Sequence, residues 1–204
     1  MSPATEPNNG ERWHVEPGDV LLVTDIQYDF LSGGRLAVAG GDEVIPALNR
    51  YIDEFVAHRQ PVYATRDWHP AGHCSFHEQG GPWPVHCVAG TSGAEFSSLL
   101  KLPPDTTVIS KATLQDQEAY SSFQGTELGS RLRAAGIRRV FIGGLTTDYC
   151  VLNSVKDARA LGFEVFVLTD AIRAVDVRPG DGKRAEEEMA RLGARFITLD
   201  SLSP

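Results

Sequence analysis

The sequence predicts an α/β fold in which a mostly parallel sheet lies between two layers of helices. Short apolar runs alternate with amphipathic segments along the 204 residues, a pattern that favours strands separated by helices. Most of these runs are apolar throughout, as expected of strands covered on both faces. The length suits one domain with a sizeable core, and we expect a flexible tail over residues 1–18 and a single domain over residues 19–204.

The amino-terminal half supplies two strands and a long helix. The apolar run DVLLVTD (19–25) predicts the first strand, and PVYATRD (61–67) predicts the second. Between them, residues 41–59 carry apolar side chains at the spacing of one helix face. Residues 68–105 show little periodicity, and so long an irregular connection is either functional or disordered. Its tryptophans and four histidines favour a functional loop.

The carboxyl-terminal half continues the alternation with four more strands and three more helices. The predicted strands are 106–111, 138–144, 163–171 and 194–200, and the predicted helices are 126–136, 151–162 and 182–193. Each of these helices reaches a glycine at its end, as is common because glycine adopts the left-handed conformation that stops a helix.

Composition and charge narrow the functional classes. The formal net charge is −8, and an acidic surface argues against a nucleic-acid or acidic-membrane partner. No apolar run approaches the length of a membrane span, and the polar first dozen residues lack a signal-peptide core. Three cysteines without an export signal fit free thiols in a reducing compartment, so we expect a cytoplasmic protein.

Reactive side chains stand where the predicted strands end. Asp25 ends the first strand, Lys111 ends the third, and Cys150 follows the fourth and opens a helix. Because ligands of open α/β sheets bind at the carboxyl ends of the strands, we expect these side chains to meet at one edge. An ammonium and a helix N-terminus both stabilise a thiolate, and a carboxylate can accept and return the proton. The set therefore predicts a cysteine nucleophile with an ionised sulfur beside an acid–base group.

The turn before Cys150 adds an element that suits acyl transfer. A Gly-Gly pair permits a tight turn, after which the backbone N–H groups of Thr146 and Cys150 can face an oxyanion. Taken singly, a buried thiol, a capping carboxylate and a solvated amine are ordinary structural features. Their coincidence at three strand ends is what favours catalysis. Cys74 and Cys87 lie in the irregular region without such partners, and we interpret both as incidental.

A histidine-rich segment follows the second strand. Asp67 and His69 form an Asp-x-His pair, which puts both side chains on one face of an extended segment. His86, arriving from the far end of the loop, can complete a three-ligand site. Two imidazoles and one carboxylate suit Zn²⁺, Mn²⁺ or Fe²⁺ with positions left for water or substrate. His73 is a fourth ligand or a supporting residue in this interpretation, and we assign no metal-binding role to His77.

Several motifs, in the correct order, resemble the nicotinamidases of the isochorismatase-like cysteine hydrolase superfamily. The resemblance runs from about Val20 to Leu199. Its motifs are VTDIQYDFLSGGRLAVAGGDEVIP, TRDWHPAGHCSF, GPWPVHCVAGT, SKATLQDQEAYSSF, GLTTDYCV and VLTDAIRAV. The combination of DWHP with WPVHC is especially specific, since many other members of the superfamily lack the metal ligands.

The resemblance implies a fold and a catalytic set. The implied fold has three α/β/α layers around a six-stranded, mostly parallel sheet. The implied triad is Asp25, Lys111 and Cys150, and a cis peptide is expected at Leu145–Thr146, where it exposes the N–H groups of the oxyanion hole. Thr146 stands where many nicotinamidases have alanine, a departure that keeps the N–H but bears on the shape of the pocket.

The resemblance also implies a metal and a substrate. Zn²⁺, with Mn²⁺ or Fe²⁺ as alternatives, is expected on Asp67, His69 and His86. The implied substrate-binding residues are Phe30 and Trp83, which would sandwich a pyridine ring, and Tyr120, which would line the pocket. The implied reaction is hydrolysis of nicotinamide to nicotinate and ammonia through a cysteine thioester. Family members range from monomers to larger assemblies, so a homo-oligomer is compatible with the resemblance.

Three other functions stay open at this stage. One is another cysteine amidohydrolase of the superfamily, acting on a carbamoyl or maleamate-type amide, and the histidine cluster counts against it. Another is a non-catalytic binding protein that kept the fold, and the complete triad counts against that. The third is an isochorismatase acting on a vinyl ether, which would act on isochorismate and not on nicotinamide.

Overall fold

A computed structural model describes residues 12–203 of the chain. Its strands are β1 (Asp19–Thr24), β2 (Val62–Asp67), β3 (Thr107–Lys111), β4 (Arg139–Leu145), β5 (Glu164–Arg173) and β6 (Arg195–Ile197). Its α-helices are α1 (Val44–Ala57), α2 (Leu128–Ala134), α3 (Leu152–Ala160) and α4 (Asp181–Arg191). Across the described chain, every helix is too short or too polar to span a bilayer.

The strands form one sheet of order β3-β2-β1-β4-β5-β6, in which every neighbouring pair is parallel. Helices cover both faces. In β1, Leu21 and Val23 belong to the core under α1, whereas Val20 and Leu22 belong to the core under α2, α3 and α4. The strand is therefore buried on both sides, which explains its unbroken apolar sequence. The predicted three-layer fold with a six-stranded parallel sheet is confirmed.

The strand order places a crevice next to β1. The chain moves from β1 outward to β2 and β3 on one side, and then crosses to β4, β5 and β6 on the other. The connections after β1 and β4 therefore lead away in opposite directions at their carboxyl ends. In open α/β sheets, ligands bind at such a reversal of strand order.

Part of the segment predicted as a flexible tail is packed against the domain. The N–H of Trp13 donates to the carbonyl of Ser201 at 2.8 Å, and its ring contacts Phe166 at 4.8 Å between centroids. Val15 is buried in the core. The predicted tail is thus corrected for residues 13–18, where two apolar side chains, too few to form a periodic pattern, dock onto the sheet. For residues 1–11, which lie outside the described residues, flexibility stays a prediction.

The long connection between β2 and β3 is held by short pairings rather than by helices of the α type. His69 pairs with Val88, and Phe76 pairs with Trp83, each as an isolated parallel bridge. Phe76 is buried at 1% exposure, so the loop has an apolar centre of its own. These pairings fold the histidine-rich segment back over the carboxyl edge of the sheet, where β1, β3 and β4 end.

Candidate active site

The three predicted catalytic residues form one buried cluster, in which Lys111 contacts the other two. Its Nζ lies 2.9 Å from Asp25 Oδ2 and 3.4 Å from Cys150 Sγ, and it also pairs with Asp67 Oδ1. None of these side chains is more than slightly exposed. One oxygen of Asp25, one of Asp67 and the sulfur of Cys150 lie within 4.8 Å of one another. Residues far apart in the sequence are thus brought into contact, as the strand-end argument predicted.

The ends of three strands place these residues. Asp25 directly follows β1, and Lys111 is the last residue of β3. Cys150 lies in a π-helical turn, Thr147–Val151, that joins the end of β4 to α3. The hydroxyl of Thr65, on the neighbouring strand β2, donates to Asp25 Oδ1 at 2.7 Å. That bond fixes the carboxylate and leaves its other oxygen toward Lys111.

Three non-glycine residues with left-handed backbone conformations border the cluster. The φ angle is +52° at Asp25, +46° at Cys87 and +51° at Ala112. This conformation costs an L-residue about 1–2 kcal/mol, and it persists where the surrounding structure holds it. Cys87 directly follows His86, and Ala112 directly follows Lys111. Backbone strain is therefore concentrated where functional side chains must be aimed.

Burial is the largest influence on the pKa values of Cys150, Asp25 and Lys111. It raises the pKa of the Cys150 thiol well above its ordinary value, against the opposing influence of Lys111. It also raises the pKa of Asp25, again opposed by Lys111. Burial favours the neutral amine of Lys111, but Asp25 and Asp67 outweigh it and raise the pKa. The direction of the Cys150 pKa shift favours a protonated thiol and does not support the ionised sulfur predicted from the sequence, which stays a prediction.

The turn before Cys150 contains the expected cis peptide between Leu145 and Thr146. Gly144 has a φ of +124°, and a Cβ there would overlap the backbone of Thr24. Only glycine fits such a close approach. Thr146 and Cys150 both line the adjacent pocket. The assignment of their N–H groups to an oxyanion hole stays a prediction.

Asp67, His69 and His86 converge on one point. The Nε2 atoms of His69 and His86 lie 3.6 and 4.0 Å from Asp67 Oδ2, and one ligand atom from each residue lies within 4.8 Å of the others. Their Nδ1 atoms face the carbonyl oxygens of Ala112 at 3.4 Å and Pro84 at 2.8 Å. An Nδ1–H donated to a carbonyl leaves the lone pair of Nε2 free for a cation. These residues therefore fit a divalent metal.

His73 has no free nitrogen to offer to that site. Its Nδ1 faces Ser75 Oγ at 2.7 Å, and its Nε2 faces the carbonyl of Gln117 at 3.0 Å. Its ring packs beside that of His69, with 4.3 Å between centroids. The alternative of His73 as a fourth ligand is therefore corrected to a residue that supports His69 from the side. Among the described residues, the converging ligand atoms do not include His77.

Asp67 belongs to both groups of residues. Its Oδ1 pairs with Lys111, whereas its Oδ2 faces His69 and His86. Burial alone would raise the pKa of Asp67, but Lys111 and the imidazoles hold it below its ordinary value. The side-chain amide of Gln27 clamps the backbone of Asp67 through two hydrogen bonds of 2.8 Å. One rigidly held carboxylate thus connects the thiol cluster to the convergent histidines.

A single pocket is lined by residues of both groups. Its lining residues are Phe30, Leu36, Asp67, His69, Trp83, His86, Glu118, Tyr120, Thr146, Tyr149, Cys150 and Val175. The indole N–H of Trp83 donates to the hydroxyl of Tyr120 at 3.0 Å and so ties two walls together. Burial raises the pKa of Tyr120 to about 12, so its hydroxyl stays protonated at neutral pH. All three predicted substrate-binding residues therefore line the pocket.

Sequence reasoning missed four residues of the lining. Leu36, Glu118 and Val175 lie in connections without periodicity, and the motifs that contain them assign them no role. Tyr149 did carry a signal, because it precedes Cys150 in the turn. Its ring contacts the ring of Trp83 at 4.9 Å between centroids. The aromatic wall is therefore larger than predicted.

A thiol, an ammonium and carboxylates grouped at the carboxyl edge of a parallel sheet define a hydrolase on a three-layer α/β fold. Comparison with known protein families also supports a hydrolase. The family described as the Isochorismatase domain matches residues 19–201, and the chain belongs to this family. The family predicted from the motifs is confirmed.

Known members of the family resemble this chain over nearly their whole length. The nicotinamidase of Escherichia coli (strain K12) is 38% identical over 204 residues, covering 90% of this chain and 96% of that protein. The crystal structure of the pyrazinamidase of Pyrococcus horikoshii in complex with zinc is 48% identical, with a TM-score of 0.86 over 90% of this chain and 100% of that one. PnC1 from L. infantum in complex with nicotinate is 35% identical, with a TM-score of 0.88 over 94% of this chain and 98% of that one.

Proposed function

We propose that this protein hydrolyses nicotinamide to nicotinate and ammonia, with Cys150 as the nucleophile. The observation that carries the proposal is that one pocket is lined both by Cys150, whose sulfur contacts Lys111, and by Asp67 with the histidine pair that faces it. The aromatic walls of that pocket suit a flat pyridine ring. The relatives named nicotinamidase, and the neighbouring structure that holds nicotinate, support the same substrate.

The first half of the reaction forms a thioester. As Cys150 Sγ attacks the amide carbon, Asp25 accepts the thiol proton, and the Lys111 ammonium stabilises the negative charge that the two groups share. The N–H groups of Thr146 and Cys150 receive the developing oxyanion, and each donor of this kind contributes about 3–4 kcal/mol. Asp25 then passes the proton to the amide nitrogen, the C–N bond breaks, and ammonia leaves.

The second half releases the acid. A water molecule attacks the thioester carbon while Asp25 accepts one of its protons. The C–S bond breaks, and Asp25 returns that proton to the sulfur of Cys150. The products are one nicotinic acid and one ammonia for each water consumed, and the enzyme regains its starting protonation.

Zn²⁺ is the cation we propose for Asp67, His69 and His86. Two imidazoles and a carboxylate are a donor set that zinc accepts, and a structurally similar protein is described in complex with zinc. When bound, the cation would supply a Lewis acid for a pyridine nitrogen and so orient the ring. The protein's own contribution is to hold both imidazoles by their Nδ1 atoms and to keep Asp67 pointed toward them.

The test is release of ammonia from nicotinamide by the purified protein. It is run with the protein as prepared, after removal of metal by a chelator, and after addition of Zn²⁺ to the chelated sample. We expect turnover that the chelator abolishes and that zinc restores. A zinc-loaded protein that releases no ammonia from nicotinamide, but does so from a carbamoyl or maleamate-type amide, would replace this function with the alternative amidohydrolase.

The setting of the reaction is also a proposal. All three cysteines are free, which fits a reducing compartment, and we propose a cytoplasmic enzyme.

We further propose that the chain from Trp13 onward forms a single folding unit, since the segment before β1 pairs with residues near the carboxyl terminus. One cooperative denaturation transition, followed by both far-UV and near-UV circular dichroism, is the expected observation.

A further inference from the structure

Asp29 is a buried carboxylate that neither lines the pocket nor takes part in the cluster around Lys111. It lies in the short helical turn Tyr28–Phe30 and is 7% exposed. Within residues 12–203, no basic side chain lies within 4.0 Å of its oxygens. Two backbone donors compensate the carboxylate instead, the N–H of Cys87 at 2.7 Å from Oδ2 and the N–H of Arg35 at 3.3 Å from Oδ1.

Each of those two donors is next in sequence to a residue that lines the pocket, His86 for Cys87 and Leu36 for Arg35. Cys87 directly follows His86, and its carbonyl accepts the backbone N–H of His69 at 3.0 Å. A single peptide segment therefore connects Asp29 to both convergent imidazoles. Arg35 directly precedes Leu36, which lines the pocket and donates its own N–H to the Asp29 carbonyl at 2.9 Å.

Asp29 is also next to a residue of the aromatic wall of the pocket. Phe30 is the next residue after Asp29, and its ring contacts the imidazole of His86 with 5.7 Å between centroids. Gly93, which does not line the pocket, lies against the Asp29 carboxylate. A Cβ on Gly93 would overlap the carboxylate oxygens, so the chain keeps this space free for Asp29.

We propose that Asp29 is a positioning residue that sets the spacing of His69 and His86 for a divalent cation and holds Phe30 and Leu36 at the substrate. The cation part stands on geometry alone, whereas the substrate part rests on the proposed nicotinamide hydrolysis. Outer groups that fix metal ligands typically change metal affinity by about 10–100-fold when they are altered. We expect the same range here.

The test compares Asp29→Asn with Asp170→Asn by titration of the metal-free proteins with Zn²⁺. Asp170 is a matched control, because its carboxylate accepts the Tyr51 hydroxyl and the Leu199 N–H, both at 2.9 Å, and neither partner lines the pocket. An asparagine offers one acceptor oxygen where two N–H donors need one each. We expect zinc affinity to fall about 10–100-fold in Asp29→Asn and to stay within about 2-fold in Asp170→Asn.

Gly93→Ala provides an independent variant, because its methyl group displaces the carboxylate without changing its chemistry. We expect it to weaken zinc binding in the same direction and, at saturating zinc, to raise KM for nicotinamide more than it lowers kcat. Wild-type zinc affinity in both Asp29→Asn and Gly93→Ala would overturn the proposal, as would an equal loss in Asp170→Asn. A wild-type protein that binds zinc in an Asp29-dependent way but leaves nicotinamide intact would refute the proposed function and not the cation part of this inference.

Discussion

Lys111 Nζ lies 3.4 Å from the Sγ of Cys150, a residue that lines the pocket. The same ammonium pairs with Asp25 and Asp67, so it is the only basic side chain that contacts both carboxylates among the described residues. A buried ammonium with two carboxylate partners is expensive to remove, because each carboxylate is left without a counter-charge. The residue that supports the chemistry is therefore also expected to support the fold.

Lys111→Met tests this dual role. The side chain keeps a similar length but loses its charge, and we expect a loss of about 3–5 kcal/mol in the free energy of unfolding, together with loss of turnover. Urea denaturation measures the first and ammonia release the second. Lys156→Met is the control, since its ion pair with Glu188 is about one third exposed and is expected to contribute less than about 1 kcal/mol. Equal losses for the two variants would contradict the prediction.

Cys150→Ala is expected to abolish ammonia release from nicotinamide while leaving the fold intact. Removal of a catalytic nucleophile lowers kcat by about 10⁴-fold or more, whereas loss of one sulfur atom changes stability by about 1–2 kcal/mol at most. Turnover and circular dichroism are the measurements. Wild-type turnover in this variant would show that another group is the nucleophile.

The two convergent histidines and their neighbour are expected to behave differently when truncated. His69→Ala and His86→Ala each remove an Nε2 that faces Asp67, so we expect bound zinc to fall well below one equivalent after dialysis. His73→Ala should retain most of its zinc, because both of its nitrogens bind protein groups. Metal analysis of the three purified variants provides the comparison, and a zinc-free His73→Ala would restore that residue to the ligand set.

Two threonines near the site should respond oppositely to replacement by valine. The Thr146 hydroxyl is buried without a hydrogen-bond partner in the described chain, so Thr146→Val should be neutral or should stabilise the fold by about 1–3 kcal/mol. Its backbone N–H is unchanged, so turnover should stay within a few-fold of wild type. Thr65→Val removes the hydrogen bond to Asp25 and should cost about 1–3 kcal/mol and reduce turnover. Thermal denaturation and steady-state kinetics of both variants distinguish these outcomes.

Comparing Gly144→Ala with Gly136→Ala separates two costs to stability. One is the steric overlap of a new Cβ, and the other is the unfavourable positive φ of an alanine. Both glycines have positive φ, but a Cβ at Gly144 would overlap the backbone of Thr24, whereas a Cβ at Gly136 meets open space. We expect Gly136→Ala to cost about 1–2 kcal/mol. Gly144→Ala should cost considerably more and should displace Asp25, which follows Thr24. Similar midpoints of urea denaturation for the two variants would argue against the overlap.

The sequence was sufficient to predict the sheet and the residues at its carboxyl edge. Strands buried on both faces have unbroken apolar sequences, so Asp25, Lys111 and Cys150 were conspicuous where those runs stop. Parallel order then implied that they meet. The direction of the Cys150 pKa shift could not be predicted this way, because a helix N-terminus and an ammonium can be inferred from a sequence whereas the depth of burial cannot.

The remaining features depend on contacts between connections that lack periodicity. Val175 enters the pocket because Asp148, in the turn that carries the thiol, accepts the N–H groups of Val175 and Asp176 at 3.0 and 2.9 Å. Nothing in the spacing of these residues indicates that contact. The docking of Trp13 beside Phe166 is likewise not predictable from the sequence, because a single aromatic residue forms no periodic pattern.

Asp67 contacts Lys111 through one carboxylate oxygen and faces the two imidazoles with the other. Cation binding at the imidazoles and reactions at Cys150 are therefore thermodynamically coupled. A cation attracted to one oxygen weakens the hold of this carboxylate on the amine, and any change at the amine alters the charge offered to the cation. By linkage, if covalent blocking of Cys150 shifts cation affinity by some factor, occupancy by the cation shifts the blocking equilibrium by the same factor. If the proposed zinc is exchanged for another divalent cation, the pKa of the Cys150 thiol is therefore expected to change without any change in sequence.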